Sequence, residues 1–395
     1  MNIFKIIKSI LNILKWMVIS SIIGVFGALS SIIITIIVST FSTDVSFLLI
    51  PEFFIIGLIV GYLPELKGSG INITLKALSE NKKLSLISGI LKVILSGFTI
   101  AVGGSAGKVG PCIQCSASFA DYIGNKLHLK NREMILITGI SGGLSGTFDA
   151  PLGTAILSCE IIEHEGFKYN NVFPAMIASI VGYMAYNSIT GEKHLFPTVN
   201  NLFNNIVSPI YIIWYILAGF FCSFIMYGYI KTFKKISSFF NKINIPDAFK
   251  MSFAAIILLI IYHFAPFSSG LGSNFLNSLF TIKLPLSLIV ITIIGKILST
   301  SFTIGSGCPG GLLFPSIVIG ALSGLIFSTF FGLNSIPFII LGIATGLSSV
   351  ANVPLGSAVL STEMFGMDFA VPIIIGTVIG YYMTKLEYIF EYIEW

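Results

Sequence analysis

Long apolar runs recur along the chain, and short polar or glycine-containing segments separate them. Several runs approach the roughly 20 residues that an α-helix needs to cross a bilayer, while others are shorter. Because the apolar residues follow one another without alternation, the runs predict membrane helices and do not suggest the strands of a barrel. The runs cover approximately residues 16–41, 48–63, 86–102, 133–148, 171–190, 207–230, 251–266, 284–304, 315–331, 336–349 and 369–384.

The composition agrees with a chain that lies mostly in lipid. Of the 395 residues, 55% are hydrophobic and 10% are charged, and the mean hydropathy is +0.94. Soluble domains carry about 25% charged residues, so this chain has too few charges to cover the surface of a soluble globule. We therefore predict an all-α integral membrane protein that crosses the bilayer many times, contacts membrane lipid and has no soluble regulatory domain.

The basic residues indicate how the chain is oriented. They gather in three clusters, Lys67–Lys83, Lys126–Arg132 and Lys231–Lys250, and three further lysines lie within residues 5–15. Positively charged loops stay on the cytoplasmic side of a membrane, so we expect these segments and both termini to face the cytoplasm, in the inner cell membrane. This topology accounts for the net charge of +5, and we expect no nucleic-acid partner.

Other chemistry finds little support in the sequence. The five cysteines have no histidine at metal-ligand spacing, and we interpret them as small buried hydrophobic residues. The segment around Lys108 resembles a P-loop, but Val102 stands where its first glycine is required and Val109 where its Ser or Thr is required. The sequence therefore predicts no enzyme, no metal and no cofactor.

The chain contains an internal repeat. Residues 151–160 (PLGTAILSCE) and 354–363 (PLGSAVLSTE) are identical at seven of ten positions. Other glycine and proline positions upstream correspond at the same offset of 202–204 residues. We therefore predict two structural repeats, 1–205 and 206–395. Repeated halves with glycine-interrupted segments at corresponding positions are typical of transporters that bind their substrate near the membrane midplane.

Three glycine clusters stand out, at 67–72 (KGSGIN), 103–111 (GGSAGKVGP) and 305–315 (GSGCPGGLLFP). Each precedes a segment that can begin a helix. The free N–H groups at a helix start bind anions without a full positive charge, and such partial charges also let the anion leave. We therefore predict an anion path lined by these clusters. The alternative is that the glycines only allow close helix packing.

Two carboxylates, Glu160 and Glu363, occupy equivalent positions in the repeats. Carboxylates within membrane helices often mark cation coupling. Since they occur in both halves, we favour a structural role, in which each one binds loop amides inside its own half.

The glycine clusters resemble the three anion-site motifs of the CLC family of chloride channels and proton-coupled chloride transporters, GSGIP, G(K/R)EGP and GxFxP. Here they read GSGIN at 68–72, GKVGP at 107–111 and GGLLFP at 310–315. The resemblance covers the whole membrane chain, without the cytoplasmic nucleotide-sensing domains of many members. It implies two inverted repeats of tilted and broken helices, and a homodimer with one pore in each subunit.

The resemblance also implies anion-binding residues. They are Gly68 and Ser69 for an inner site, Ser69 with the amides of Leu312 and Leu313 for a central chloride, and the amides around Val109 and Gly110 for an outer site. We expect the long side chain of Lys108 to reach water and to attract anions toward the outer vestibule. The family's pore tyrosine aligns with Phe390, with Tyr388 close by, and the choice between these two stays open.

The departures from the family motifs suggest the transport mode. Val109 occupies the position of the gating glutamate, and Ile161 that of the inner proton glutamate, so both proton stations are missing. Certain channel members of the family also read GKVGP. Asn72 replaces the usual proline, and the sequence assigns it no consequence. We therefore predict a passive chloride-selective channel without proton coupling.

Three alternatives stay open. The first is a chloride transporter with non-standard coupling, through Glu160 or Glu163. The second is a channel for another small anion, although Ser69 favours chloride because fluoride-type members lack this serine and nitrate exchangers often carry proline there. The third is a membrane scaffold or enzyme that does not transport.

Overall fold

The computed structural model describes residues 3–42, 47–163, 166, 168–191, 196, 208–282 and 284–387. Within these residues the chain forms sixteen α-helices and three short 3₁₀ turns, and no strand. The helices are α1 (Ile3–Phe41), α2 (Leu49–Tyr62), α3 (Gly70–Ser79), α4 (Leu86–Ala101), α5 (Val109–Lys126), α6 (Arg132–Phe148), α7 (Pro151–Ile162), α8 (Tyr169–Thr190), α9 (Pro209–Lys242), α10 (Asp247–Phe264), α11 (Ser273–Ser278), α12 (Leu286–Gly305), α13 (Leu313–Phe331), α14 (Ser335–Ala351), α15 (Pro354–Phe365) and α16 (Ala370–Thr384). The all-α prediction is confirmed.

Every predicted apolar run coincides with a helix. The runs become α1, α2, α4, α6, α8, α9, α10, α12, α13, α14 and α16. Seven helices in the described part of the chain are long and apolar enough to cross a bilayer. The helices that apolar runs did not predict, α3, α5, α7, α11 and α15, begin at or near the glycine clusters and the repeated proline motifs.

The order of the elements is the same in the two parts of the chain. Helices α2 to α8 correspond in order to α10 to α16, and a 3₁₀ turn follows both α2 (Pro64–Leu66) and α10 (Pro266–Ser268). The lengths are equal in two of the pairs, since α6 and α14 each have 17 residues and α7 and α15 each have 12. This order supports the two repeats. Their boundary, between residues 205 and 206, lies outside the described residues, so it stays a prediction.

One sharp corner occurs in both parts. Helix α6 ends at Asp149 and α14 at Asn352, and both residues have positive φ angles, 52° and 56°. Asp and Asn tolerate this left-handed conformation better than other residues with a side chain. A proline then begins the next helix, Pro151 in α7 and Pro354 in α15. Proline fits the first helical position because the N–H it lacks would have no partner there.

Small residues allow the central helices to approach closely. A Cβ atom on Gly324 of α13 would lie 1.8 Å from the carbonyl oxygen of Phe338 in α14, and one on Gly320 would lie 2.1 Å from that of Gly342. Such distances exclude any side chain, as is typical of tightly packed membrane helices. Gly320 and Gly324 therefore serve helix packing and hold the middle of α13 against α14.

Candidate anion site

The three glycine clusters come together in the interior. The N–H of Gly68 donates to the carbonyl oxygen of Gly307 at 3.1 Å, and the N–H of Gly310 donates to that of Gly68 at 3.3 Å. The N–H of Gly107 donates to the carbonyl oxygen of Gly311 at 2.8 Å. Segments far apart in sequence are thereby joined backbone to backbone.

Three helices begin at this junction. Helix α3 starts after Ser69, α5 after Lys108 and α13 after Leu312. None of these residues accepts a capping hydrogen bond with its side chain. The first N–H groups of each helix therefore lack a side-chain cap, and these ends carry the positive pole of the helix dipole. The prediction that the glycine clusters begin helices is confirmed.

The glycines are required because the backbones nearly touch. A Cβ atom on Gly70 would lie 2.2 Å from the carbonyl oxygen of Gly110. One on Gly311 would lie 2.8 Å from the nitrogen of Gly110. Gly68 has a φ angle of 55°, which residues with a side chain rarely adopt. Any larger residue would separate the helix starts.

Ser69 lies between this junction and an open cavity. Its side chain is 6% exposed, and its Oγ has no hydrogen-bond partner among the described residues. A buried polar group without a partner costs about 1–3 kcal/mol, so such groups are usually paired. The cavity measures about 650 Å³, and we call it the Ser69 vestibule. Its lining includes Ser69, Asn72, Leu312 and four lysines, Lys67, Lys234, Lys242 and Lys250.

The two residues that we predicted at the glutamate positions, Val109 and Ile161, are buried and aliphatic. Val109 is the first residue of α5 and is completely buried, and Ile161, near the end of α7, is 1% exposed. Neither side chain can bind a proton or repel an anion.

Lys108 is placed differently from the prediction. Its side chain is 7% exposed, and its Nζ lies 5.6 Å from the ring centroid of Tyr186 in α8. The expectation that this side chain reaches water is wrong. The aromatic ring stabilises the ammonium group by a cation–π interaction, which is stronger where water is excluded. Lys108 therefore places a full positive charge inside the protein, beside the start of α5.

Glu160 and Glu363 form a reciprocal clamp between the two parts of the chain. The carboxylate of Glu363 accepts hydrogen bonds from the N–H groups of Leu152 (3.2 Å) and Gly153 (2.7 Å), and that of Glu160 accepts from Leu355 (3.2 Å) and Gly356 (2.5 Å). The structural role is as predicted, but the expectation that each carboxylate stays inside its own half is wrong. Since α7 and α15 pack side by side, each reaches the first turn of the other helix.

Glu163 follows α7 and is also engaged. It accepts hydrogen bonds from the backbone N–H of Lys168 at 2.9 Å and from the side-chain amide of Asn171 at 2.5 Å. The Nζ of Lys168 in turn binds both carboxylate oxygens of Glu133 at 2.8 Å. These contacts fix the end of α7 against α6 and α8, which gives Glu163 a structural explanation.

Two buried lysines were missed by the sequence analysis. Lys92 and Lys296 are completely buried and stand 204 residues apart, at equivalent positions of α4 and α12. Lys92 donates to the carbonyl oxygens of Leu66 at 2.7 Å and Lys67 at 3.0 Å, and Lys296 donates to that of Gly270 at 2.8 Å. Each therefore binds the backbone just before or within a glycine cluster. The sequence did contain a signal for them. Each lysine lies within an apolar run, and the two are separated by the repeat offset of 204 residues.

The described residues contain no group of three or more side chains that could hold a metal ion. All five cysteines lie in this part of the chain, and they are buried and free of disulfides. The interpretation of the cysteines as buried hydrophobic residues is confirmed.

A family comparison identifies the fold. The family model described as voltage gated chloride channel matches residues 52–385. The chain belongs to this family, the CLC family. It is accordingly an integral membrane protein of a family that transports anions, and the resemblance stated from the three motifs is confirmed.

Individual members of the CLC family are similar over most of their length. An uncharacterized protein of Methanocaldococcus jannaschii is 55% identical over 395 residues, which are 100% of this chain and 99% of that protein. A chloride/fluoride channel protein of Pseudomonas syringae pv. tomato is 22% identical over 80% of this chain and 71% of its own length. The crystal structure of a CLC-type fluoride/proton antiporter matches with a TM-score of 0.83 at 20% identity, covering 96% of each chain, which shows the CLC fold.

The pore tyrosine of the CLC family falls on a segment that is not described. Both candidates, Tyr388 and Phe390, lie outside the described residues. Just before them, Glu387 forms salt bridges with Lys231 and with Lys234 of α9, the latter at 2.9 Å. The hydrogen bonds from Lys231 and Lys234 hold the pKa of Glu387 below its usual value. This carboxylate connects the C-terminal segment to α9.

Proposed function

We propose that this CLC protein is a passive chloride-selective channel without proton coupling. The observation that carries the proposal is the chemistry of two positions: Val109 and Ile161, which stand where coupled members of the family carry glutamates, are buried aliphatic residues. A coupled exchanger needs groups that bind and release protons along its path. These two side chains cannot do so.

The remaining site supports a permeating anion. Three uncapped helix starts approach one another, and a buried serine hydroxyl next to them has no partner. Partial charges of this kind attract an anion but hold it weakly enough to let it leave. The lysine side chains nearby, Lys92 and Lys108, are engaged by backbone carbonyls and by an aromatic ring. They therefore support the site at a distance rather than bind the anion directly.

The main rival is exchange through a different carboxylate. Glu160 accepts hydrogen bonds from two amides, and Glu163 accepts one from an amide and one from Asn171. A proton carrier must be free to give up such bonds as it titrates. The hydrogen bonds of both residues favour structural roles, and paired flux measurements separate the two functions.

The test is a paired measurement of chloride and proton movement in liposomes that contain the purified protein. We expect a chloride gradient to drive chloride at a rate nearly independent of external pH, with no uphill movement of protons. The reversal potential should equal the chloride equilibrium potential. Proton pumping in fixed proportion to chloride would overturn the channel proposal and establish the exchanger.

The orientation is part of the proposal. The four lysines that line the Ser69 vestibule belong to the basic clusters at 67–83 and 231–250. By the positive-inside rule this vestibule opens to the cytoplasm, and both termini lie on the same side of an inner cell membrane. Chloride would then pass between the Ser69 vestibule and the start of α5.

A further inference from the structure

Asn72 is a second polar residue at the Ser69 vestibule, and the proposed function does not use it. It stands three residues after Ser69, at the position where the CLC motif has proline. Both residues line the vestibule. Ser69 directly precedes α3 and Asn72 is the third residue of that helix, so both belong to its start.

The amide of Asn72 lacks a protein partner. Its Oδ1 is buried without a hydrogen bond, and no other bond to this side chain is found in the part of the chain that the structure describes. The Oγ of Ser69 is in the same condition. Ser69 is buried and Asn72 is half-buried, and their groups without a partner line one cavity beside a helix start, where one ligand can contact both.

Both free groups can act as donors toward the same point. A half-turn of the asparagine amide exchanges its oxygen and its NH₂ group, so the end without a partner can be the donor. The serine hydroxyl also donates by rotation. An anion in the cavity can accept from both groups at once.

Asparagine also adds a backbone donor that proline lacks. Helix α3 begins at Gly70, which makes Asn72 its third residue, and Ser69 provides no side-chain cap. The N–H of a third helical residue has no partner within the helix. With proline at this position the N–H would be missing altogether. This chain therefore gains two donors relative to the family motif, one from the backbone and one from the side chain.

The charges around the vestibule attract an anion to this place. Four lysines and one carboxylate, Asp247, are among its lining residues. Lys67 binds Asp247 at 2.8 Å and Lys234 binds Glu387 at 2.9 Å, so Lys242 and Lys250 provide the excess of positive charge. A concave surface with an excess of one charge raises the local concentration of counter-ions. The lysines bring anions to the cavity, and the neutral donors can then select among them.

We propose that Asn72 is an anion-binding residue at the Ser69 vestibule, where its amide and the Ser69 hydroxyl bind the same chloride ion. This inference rests on the proposed function, since it assigns one binding site along the proposed chloride path. Small neutral donors close to a helix start suit a compact spherical anion, which each donor can approach from its own side.

The test compares three variants of the purified full-length protein. Asn72→Leu keeps the approximate size and removes the side-chain donor, and Asn72→Pro restores the family residue and removes the backbone donor too. Asn274→Leu is the control, because Asn274 corresponds to Asn72 at the repeat offset of 202 but is exposed in α11. The first readout is chloride binding in detergent by titration calorimetry. The second is the half-saturating chloride concentration for flux from the vestibule side in planar bilayers.

We expect Asn72→Leu to raise the dissociation constant and the half-saturating concentration about tenfold, the effect of one lost hydrogen bond to a charged ligand. Asn72→Pro should raise both at least as much. Asn274→Leu should change neither. Unchanged values in both Asn72 variants would overturn the inference.

A further variant, Asn72→Asp, tests the inference if Asn72→Leu does not fold. If Asn72→Leu is not folded, as judged by gel filtration and thermal unfolding, Asn72→Asp has nearly the same shape and should bind chloride at least as poorly. Chloride binding affinity equal to wild type in folded Asn72→Asp would then overturn the inference.

The binding assay does not depend on coupling between chloride and protons. Proton-coupled flux in the wild type would therefore refute the proposed function while leaving the Asn72 result valid.

Discussion

The side chain of Val109 lies at the start of α5, among the amides that we propose to bind the anion, and it carries no charge. Replacement by glutamate would place a tethered carboxylate beside the same N–H donors. Such a group competes with chloride at an effective concentration of about millimolar or more. At the residue scale, the absence of this competitor is what leaves the proposed path open.

We therefore expect Val109→Glu to reduce chloride flux about tenfold at neutral pH and to recover it as the external pH falls, because protonation removes the competing charge. Val109→Gln is the matched control, with similar size and no ionisation, and its flux should not depend on pH. Val109→Glu alone should not restore proton exchange, since Ile161 still provides no inner proton site. The measurement is chloride and proton flux from liposomes between pH 4 and 7. Flux through Val109→Glu that is equal to wild type at every pH would contradict this view.

Individual side chains were predictable only where a motif specifies them. Ser69, Val109 and Leu312 were found from three short glycine motifs, and the structure brings those motifs together. Lys108 belongs to a motif as well, but its surroundings depend on Tyr186, which lies in another helix far along the chain. Burial of a flexible side chain depends on such distant neighbours, which the local pattern of residues does not show.

At the scale of the elements, hydropathy found the long apolar helices, including the buried α13 and α14, and missed the shorter or more polar ones. Helix α5 is mostly buried, yet it carries Gln114, Ser116 and Asp121. Asp121 forms a salt bridge with Arg132 at 3.0 Å, and Gln114 donates to a backbone carbonyl oxygen. Polar side chains with such partners are tolerated in a membrane protein, so α5 lacks the apolar signal of a helix that faces lipid.

The clamp between α7 and α15 provides a prediction at this scale. Each carboxylate accepts from two N–H groups at the positive end of the other helix, and charge-assisted bonds contribute about 1.5–3 kcal/mol each. Glutamine retains one acceptor oxygen and no charge. We expect Glu160→Gln and Glu363→Gln each to lower the free energy of unfolding by about 1–3 kcal/mol. In the double variant the effects should not be additive, because the two clamps join the same pair of helices.

Thermal unfolding in detergent measures this effect, and Glu65→Gln is the control because Glu65 is exposed in a 3₁₀ turn. The control should unfold at the wild-type temperature. A wild-type transition in both Glu160→Gln and Glu363→Gln would show that the clamp contributes nothing to stability.

At the scale of the whole molecule, the proposed path needs both parts of the chain. The 68–72 and 107–111 segments belong to the first part, while the 310–315 segment comes from the second and joins both through backbone hydrogen bonds. The repeat was visible in the sequence, but the contact across it was not, because a repeat shows which positions correspond and not which of them meet in space, as Gly107 and Gly311 do. All described members of the site come from one chain. We therefore expect each subunit to conduct alone.

The outer surface bears on the predicted homodimer. An apolar groove of about 770 Å³ runs along α7, α15 and α16, and its lining includes Leu152, Leu355, Met367 and Ile374, which are all exposed. Lipid can cover an apolar face as well as a protein can, so the groove alone does not establish a dimer. We expect a second copy of the chain to cover this groove, because the resemblance to the CLC family predicts a homodimer.

The dimer is tested by cross-linking through introduced cysteines. Met367 is 77% exposed at the groove, while Phe264, at the end of α10 and away from the groove, is 71% exposed. The native cysteines are all buried and should not react. We expect Met367→Cys to form a covalent dimer on oxidation in liposomes and Phe264→Cys to remain a monomer. Single-channel records of mixed dimers that pair wild type with Val109→Glu should then show one pH-independent pore and one that opens only at low pH. A Met367→Cys protein that stays monomeric, or that forms larger covalent assemblies, would be inconsistent with a dimer across this groove.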